Sequence, residues 1–466
     1  MERPSFAMAL LDCQPSRPAT MKTSQKIARY VHELRADKLP PQAREGAIRC
    51  LLDLLTAAAA GHQHPAVHAA RQLAVSDYGL GATAIWFTGE RASATGAAFA
   101  NSAAASILDL DDGFRLARGH PGAAVIPAAL AATLDSTSAE AFIAAVVAGY
   151  EVGVRVAMAR PAYAASGVWS AYAAIAAAGR LRGTASKKLA HALSIAVQSA
   201  PSLPGKAGLV GSDVKEGIPF GVLAGMNALN LAEAGFTGPL DIFDNPELFA
   251  SERITAGLGG PPCIDRTYFK PYACCRHVHA PVDAFAALLA RHKIEAREII
   301  KIEVHTYSGT FNLSNLAAPR TLIEAQYSVP FCIGLCAVHG LESLLPLETA
   351  MLADAEVHSI SRKVSLHRDP SIELRFPAES PARVVVTTAA GRFESPVTTP
   401  RGDPDSPLSW AELETKFLIA TRKLFAPAKQ QEFLQAIDRL RAGELHDLRM
   451  ALAGKAITFG SELPKI

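Results

Sequence analysis

The stretch TSAEAFIAAVVAGYEVGVRVAMA, residues 137–159, decides how the chain is read. Thr137 stands three residues before Glu140, the spacing of a capping box, so a helix is expected to open there. Its body is almost wholly apolar and offers no face to water, which predicts burial on all sides. Such a helix needs other helices around it, and the neighbouring sequence supplies them. PPQAREGAIRCLLDLLTAAAAG (40–61) opens with prolines, carries Ala47, Leu51, Leu54 and Leu55 on one stripe, and stops at Gly61. AYAAIAAAGRLRG (171–183) and ASKKLAHALSIAVQSA (185–200) continue the pattern. Alanine at so many helix positions lets helices approach closely, which fits a multi-helix bundle better than a sheet protein.

The totals bound the possibilities. A chain of 466 residues is long enough for two or three domains and a large core. It is 49% hydrophobic and 19% charged, and 46 basic against 44 acidic residues leave a net charge of +2. That balance, with no basic run, gives no support to a nucleic-acid surface. No uninterrupted apolar run of about 20 residues suits a membrane span; AAFANSAAASIL (97–108) is broken by Asn101 and its serines. FAMALL (6–11) is too short for a secretory core and follows Glu2 rather than a basic run. Residues 1–22 read as a loose leader, with Met21 as an alternative start. The cysteines, Cys13, Cys50, Cys263, Cys274, Cys275, Cys332 and Cys336, are odd in number and have neither framework nor zinc spacing. Free buried thiols in a reducing cytoplasm, and no metal, are the expectation.

The texture changes near Gly259-Gly260-Pro261-Pro262. A helix is expected from about Ala280 to Arg291, and EIIKIEVHTYSG (298–309) alternates like a strand. TLIEAQYSVPFCIGLCAVHG (321–340) reads as helix and SIELRFP (371–377) as a strand. ARVVVTTAAGRFESPV (382–397) reads as a pair of strands turning at Ala390-Gly391, and the tail from Trp410 to Leu452 returns to helix. The expected fold is mainly α: a helical domain from 23–261 and 401–466, interrupted by a smaller α+β domain at 262–400.

ILDLDDGFRLARGHPG, residues 107–122, places Asp109, Asp111 and Asp112 at the end of a small-residue helix, with His120 beyond them. Several like charges in one small region raise each other's proton affinity, which can prepare a base or a proton donor. With LLDLLTAAAAG, AGYEVGVRVA, VKEGIPFGVLAGMNALNLAEAGFTGP, FKPYACCRHVHAPVDA and EAQYSVPF in order along the chain, this stretch resembles the MmgE/PrpD family. That family's reactions include dehydration of 2-methylcitrate, decarboxylation of cis-aconitate and epimerisation of iminodisuccinate.

The resemblance implies a helical domain, an α+β lid, a cleft between them, a homodimer and no cofactor. It implies a small polycarboxylate substrate whose carbon acid needs a positioned base and cations to hold the developing charge. On that reading Asp109, His120, Lys215 and Lys270 are catalytic candidates, with Tyr150 as a further hydroxyl. Arg276, His279 and Asp112 are substrate-binding candidates. Asp109 to Asp112 are expected to end a buried helix and, with His120, to face the cleft opposite Lys270 and His279. The family's threonine after the acidic pair is Gly113 here, its histidine near Ala164 is absent, and its tyrosine after Ser-x-Pro is Phe331. Dehydration and decarboxylation need groups at those positions, so the favoured expectation is an epimerase acting on iminodisuccinate. A 2-methylcitrate-type dehydratase or cis-aconitate-type decarboxylase is the alternative, and a non-catalytic helical dimer the third.

Overall fold

The computed structural model describes residues 20–202 and 212–456; most of the proposed leader, with Cys13, lies outside them. The protein is mainly α, with eighteen α-helices and eight short strands among the described residues. Ala94–Ser106, Gly122–Ala131, Ala139–Ala159, Gly167–Leu181 and Ile218–Glu233 pack on one another, with Pro41–Ala60 against the same core. Small residues set their spacing. A Cβ on Gly221 would lie 2.3 Å from the Gly167 carbonyl oxygen, and one on Gly225 would lie 2.5 Å from that of Ala171. The two helices therefore cross in backbone contact.

Ala139–Ala159 is buried along most of its length, as its composition requires. Contrary to the sequence reading, it is long and apolar enough to cross a membrane, but its neighbours cover it. Its charged Glu151 and Arg155 pair with each other at 2.5 Å. The cap is one residue later than expected: Ser138 accepts the Ala141 N–H, while the Thr137 hydroxyl accepts from Leu134 in the preceding turn.

A four-stranded sheet lies in the second half, in the order Val364–Arg368, Ile299–Thr306, Arg383–Thr388, Gly391–Glu394. Its first pair is parallel and the others antiparallel. Thr388 pairs with Gly391, so the hairpin turns at Ala389-Ala390, one residue before the expected place. The strand read into 371–377 is not one. Asp369 caps Pro370–Glu373 as a helical turn by accepting the Ser371 N–H, and the strand is the preceding Val364–Arg368. An Asp-Pro pair is a strong helix start, and it outweighs the alternation that follows. The helix expected from about Ala280 starts at Arg276, and 321–340 forms two helices, Leu322–Gln326 and Val329–His339, parted at Tyr327 and Ser328.

Two links bind the halves together. Gly113–Phe114 pairs antiparallel with Thr267–Tyr268, joining the acidic stretch to the chain just before Lys270. The C-terminal helix Trp410–Thr421 returns to Pro41–Ala60 through Lys416, whose ammonium lies 2.5 Å from Asp53 Oδ1 and donates to the Leu110 carbonyl at 2.9 Å.

The crossing at Gly221 yields a stability prediction. Alanine there gains roughly 1 kcal/mol of helix propensity but forces overpacking worth about 1–3 kcal/mol, with only rigid backbone to yield. Gly221→Ala should therefore unfold at lower denaturant concentration than wild type in an equilibrium titration.

Candidate active site

The helix Ala94–Ser106 is capped by Ser93 and made of small buried residues up to its last turn. It ends at Ser106, so the aspartates follow the helix rather than form its end. Asp109 takes a left-handed backbone (φ 54°), and Asp109, Asp111 and Asp112 are all buried. Each has a different environment.

Asp109 lies between two ammonium groups. Its Oδ1 is 3.4 Å from Lys215 Nζ and its Oδ2 is 3.0 Å from Lys270 Nζ. Lys215 also donates to the Ser106 carbonyl at 2.5 Å, and Lys270 to the Asp109 carbonyl at 3.0 Å. Burial alone would raise the Asp109 carboxyl, but Lys270, Lys215 and His120 outweigh it and hold it well below the usual range. Burial likewise opposes the charge on Lys270, and Asp109 more than restores it, so its pKa is raised.

Asp112 is internal. It accepts the Gly122 N–H at 3.0 Å and the Tyr150 hydroxyl at 2.5 Å, at the start of the Gly122–Ala131 helix. Burial pushes its carboxyl up to about 7, with Asp53 and Asp111 adding to the rise. Tyr150 and Asp112, candidates for catalysis and binding, therefore satisfy each other beneath the site and do not line the cavity. Asp111 is raised chiefly by burial, and its Oδ2 lies 3.8 Å from His120 Nδ1 without a hydrogen bond among the described residues.

His120 stands one residue before the Gly122–Ala131 helix, with Pro121 between them. Its Nδ1 is 2.7 Å from the Asp112 carbonyl oxygen, which can only accept, so Nδ1 carries a proton. Its Nε2 is left facing Asp109 Oδ1 at 3.5 Å and Glu216 Oε1 at 3.7 Å. The Ser166 hydroxyl accepts the His120 backbone N–H at 3.1 Å and donates to Glu216 Oε2, fixing the carboxylate beside the imidazole.

Across from His120 is a wall from the second half of the chain. A cavity of about 330 Å³ separates the two, lined by Asp109, His120 and Glu216 on one side and by Tyr268, Lys270, Arg276 and Tyr327 on the other. Arg276 donates to Asp403 Oδ1 at 2.7 Å and to the Arg401 carbonyl at 2.8 Å, with its guanidinium 4.7 Å from the centre of the Tyr268 ring. Arg115 donates to the other Asp403 oxygen and to Ser380 at 2.8 Å. His279 is not in this wall. It is fully buried behind Arg276, with Nε2 3.0 Å from the Cys274 carbonyl, and burial holds its pKa well below normal, so the ring is neutral. The histidine that this second wall adds to the cavity is His277, whose Nδ1 is 2.6 Å from the Tyr307 hydroxyl and whose pKa burial lowers to about 4.

The structure thus brings Asp109, His120, Lys215, Lys270 and Arg276 together and leaves Asp112, Tyr150 and His279 beneath the surface. It adds Glu216, Arg115, Tyr268 and His277. The signal for Glu216 was its place beside Lys215, and that for His277 its place inside the Cys-Arg-x-x-His motif. Gly113 also has an account: a Cβ there would lie 2.2 Å from the Tyr268 ring, so the ring occupies the space a side chain would need.

Asp109, Asp111 and His120 each offer a ligand atom within 4.8 Å of the others, a set that would suit a divalent ion by number. Both Asp109 oxygens already face ammonium groups, so a metal ion would have to enter against two fixed positive charges.

A match to the MmgE/PrpD N-terminal domain covers residues 25–255, and one to the MmgE/PrpD C-terminal domain covers residues 272–442. A cis-aconitate decarboxylase of Aspergillus terreus is 28% identical over 296 residues, which is 58% of this chain and 60% of the relative. A second cis-aconitate decarboxylase, from the NIH 2624 strain of Aspergillus terreus, is 28% identical over 294 residues, 57% of this chain and 60% of its own length. The matched region spans 60% of the length of these curated relatives.

Asp112 makes stability depend on pH in a stated direction. Its carboxyl is raised from 3.8 to about 7 on folding, so between those values the folded chain keeps a proton that the unfolded chain has lost. Stability from this group is present at low pH and falls as pH rises through that window. Asp112→Asn cannot titrate. The stability of wild type relative to this variant should therefore decline from pH 4 to pH 7 in denaturant titrations at each pH.

Proposed function

The chain belongs to the MmgE/PrpD family, and from that premise we propose that it is an enzyme that moves a proton at the carbon beside a carboxylate of a small polycarboxylate. The observation that carries this reading is the His120 ring. Its Nδ1–H is pinned to the Asp112 carbonyl, so Nε2 is the nitrogen turned toward the cavity, beside a carboxylate flanked by two lysines. A C–H bond beside a carboxylate is a very weak acid, and its conjugate base is an enolate with charge spread onto oxygen. Lys270 lines the cavity with its ammonium already fixed by Asp109, so it can hold that oxygen without rearranging, and Lys215 braces Asp109 from its other oxygen. Arg276 and Arg115 lie further along the cavity, where the planar guanidinium suits a second carboxylate of the substrate. The reading needs no bound cofactor.

The first assignment is a lyase acting on a tricarboxylate, in keeping with the two decarboxylases it resembles. Epimerisation, for which iminodisuccinate remains the substrate to try, is the second. Gly113 favours it: no hydroxyl stands after the acidic pair to assist a leaving group, and Tyr268 leaves no room for one.

Proton NMR in D2O with cis-aconitate, 2-methylcitrate and iminodisuccinate tests the proposal. A new alkene identifies a lyase, seen as vinyl protons from decarboxylated cis-aconitate or as a methyl singlet on a double bond from 2-methylcitrate, whereas deuterium entering an unchanged skeleton identifies an epimerase. No change in any of the three would overturn the reading. With the substrate that reacts, His120→Ala should lower kcat about a hundredfold or more, the scale of a lost general base. The melting temperature should move little, because the ring faces a cavity rather than core side chains.

A further inference from the structure

The phenol of Tyr327 is 4% exposed, lines the same cavity as His120 and Lys270, and makes no hydrogen bond among the described residues. A buried hydroxyl without a partner costs free energy and is uncommon in folded proteins. Three other buried tyrosines have partners: Tyr150 bonds to Asp112, Tyr272 to Asp283, and Tyr307 to His277. From the orphaned hydroxyl and its place in the cavity, we propose that Tyr327 is a catalytic proton donor that works with His120. This rests on the polycarboxylate reading above and names a second group for it.

The local fold presents the ring deliberately. Tyr327 sits in the break between Leu322–Gln326 and Val329–His339, with Ser328 capping the second helix by accepting the Phe331 N–H at 3.1 Å. On its other side, Gln326 donates to the Ile107 carbonyl at 3.0 Å, and the Gln326 carbonyl accepts the Cys275 N–H at 2.9 Å. The residue before Tyr327 is therefore tied both to the acidic stretch and to the segment carrying Arg276. Phe331, one helical turn further on, is fully buried and absent from the cavity, so position 331 supplies no hydroxyl. Burial raises the Tyr327 pKa, and the charges of Asp109 and Glu216 raise it further, so the proton stays on oxygen until a strong base calls for it.

An enolate carbon is such a base. His120 Nε2 takes the proton as the C–H bond breaks, and the electron pair moves into the carboxylate. When the pair returns to carbon, the phenol O–H bond breaks and its proton goes to that carbon; when the pair instead forms a C=C bond, the C–O pair leaves with the neighbouring hydroxyl, and the phenol proton goes to that oxygen to release water. The phenolate left behind recovers a proton from the His120 imidazolium through cavity water, and both groups are restored.

The test is Tyr327→Phe in the full chain, with the three polycarboxylates named above as probes. Removing an unpartnered hydroxyl should leave the melting temperature unchanged or slightly higher. Turnover should fall about a hundredfold or more. Solvent deuterium exchange at the substrate carbon should persist, because His120 still takes and returns a proton on its own face; His120→Ala should lose exchange and turnover together. Wild-type turnover in Tyr327→Phe would overturn this inference and leave the general reading standing. Loss of turnover and exchange with a lowered melting temperature would make Tyr327 structural, and overturn it equally. If wild type itself changes none of the three probes, the general reading falls and takes this inference with it.

Discussion

A buried carboxylate held between two buried ammonium groups is the constraint on which the site depends. At about 3 Å and an effective dielectric near 20, each contact is worth roughly 5 kcal/mol of attraction, set against a desolvation cost of several kcal/mol per ion. Neither lysine can be withdrawn cheaply, because each supplies part of the attraction that offsets the burial of the Asp109 charge. The three residues come from distant parts of the chain: the end of the Ala94–Ser106 helix, the start of Ile218–Glu233, and the segment after Thr267–Tyr268. Asp109 and Lys215 both take left-handed backbone conformations to meet there. Such conformations cost of order 1–3 kcal/mol each, and the ion pairs offset that cost.

The same arithmetic recurs across the cavity. Arg115 and Arg276 share Asp403, one on each carboxylate oxygen, as Lys215 and Lys270 share Asp109. Each group sets two cations on one anion. A lone surface lysine would offer the same charge but would have to be ordered and stripped of water on every binding event. Here the ordering is done during folding, and a substrate anion meets dipoles and charges already aimed. Arg115 belongs to the stretch that carries Asp109, while Arg276 and Asp403 lie beyond residue 270, so the second group also bridges the two halves.

The helical part was legible because its signals are local. Alanine and glycine at contact positions, prolines at first turns and the wholly apolar run at 139–159 each act within a few residues. The errors arose where two local signals competed. Residues 371–377 alternate like a strand, but the Asp369-Pro370 cap acts first and bends them into a turn. Thr137 and Ser138 are adjacent possible caps, and only the geometry of the preceding turn chooses Ser138. In the site, charge was visible and burial was not. Asp109 and Asp112 look alike in sequence, yet one carries charge beside the cavity and the other is bound internally by Tyr150 and Gly122. His277 and His279 are two apart on one helix, so they point in different directions, and the pattern alone selected the one facing inward. Glu216 and Arg115 acquire meaning only through partners far along the chain.

Gly113 shows how a single absent side chain can act at a distance. Its pairing with Tyr268 places the glycine under the aromatic ring, with no room for even one carbon between them. The same ring also meets the Arg276 guanidinium, which lies 4.7 Å from its centre. Arg276 is in turn held to Asp403, which Arg115 also grips. A larger residue at position 113 would displace the ring, and the ring cannot move without disturbing the guanidinium over it. The identity of residue 113 therefore does more than remove a hydroxyl beside the acidic pair. It sets the position of a cation on the opposite wall, so the chemistry near His120 and the grip on the far carboxylate are adjusted by one exchange of volume.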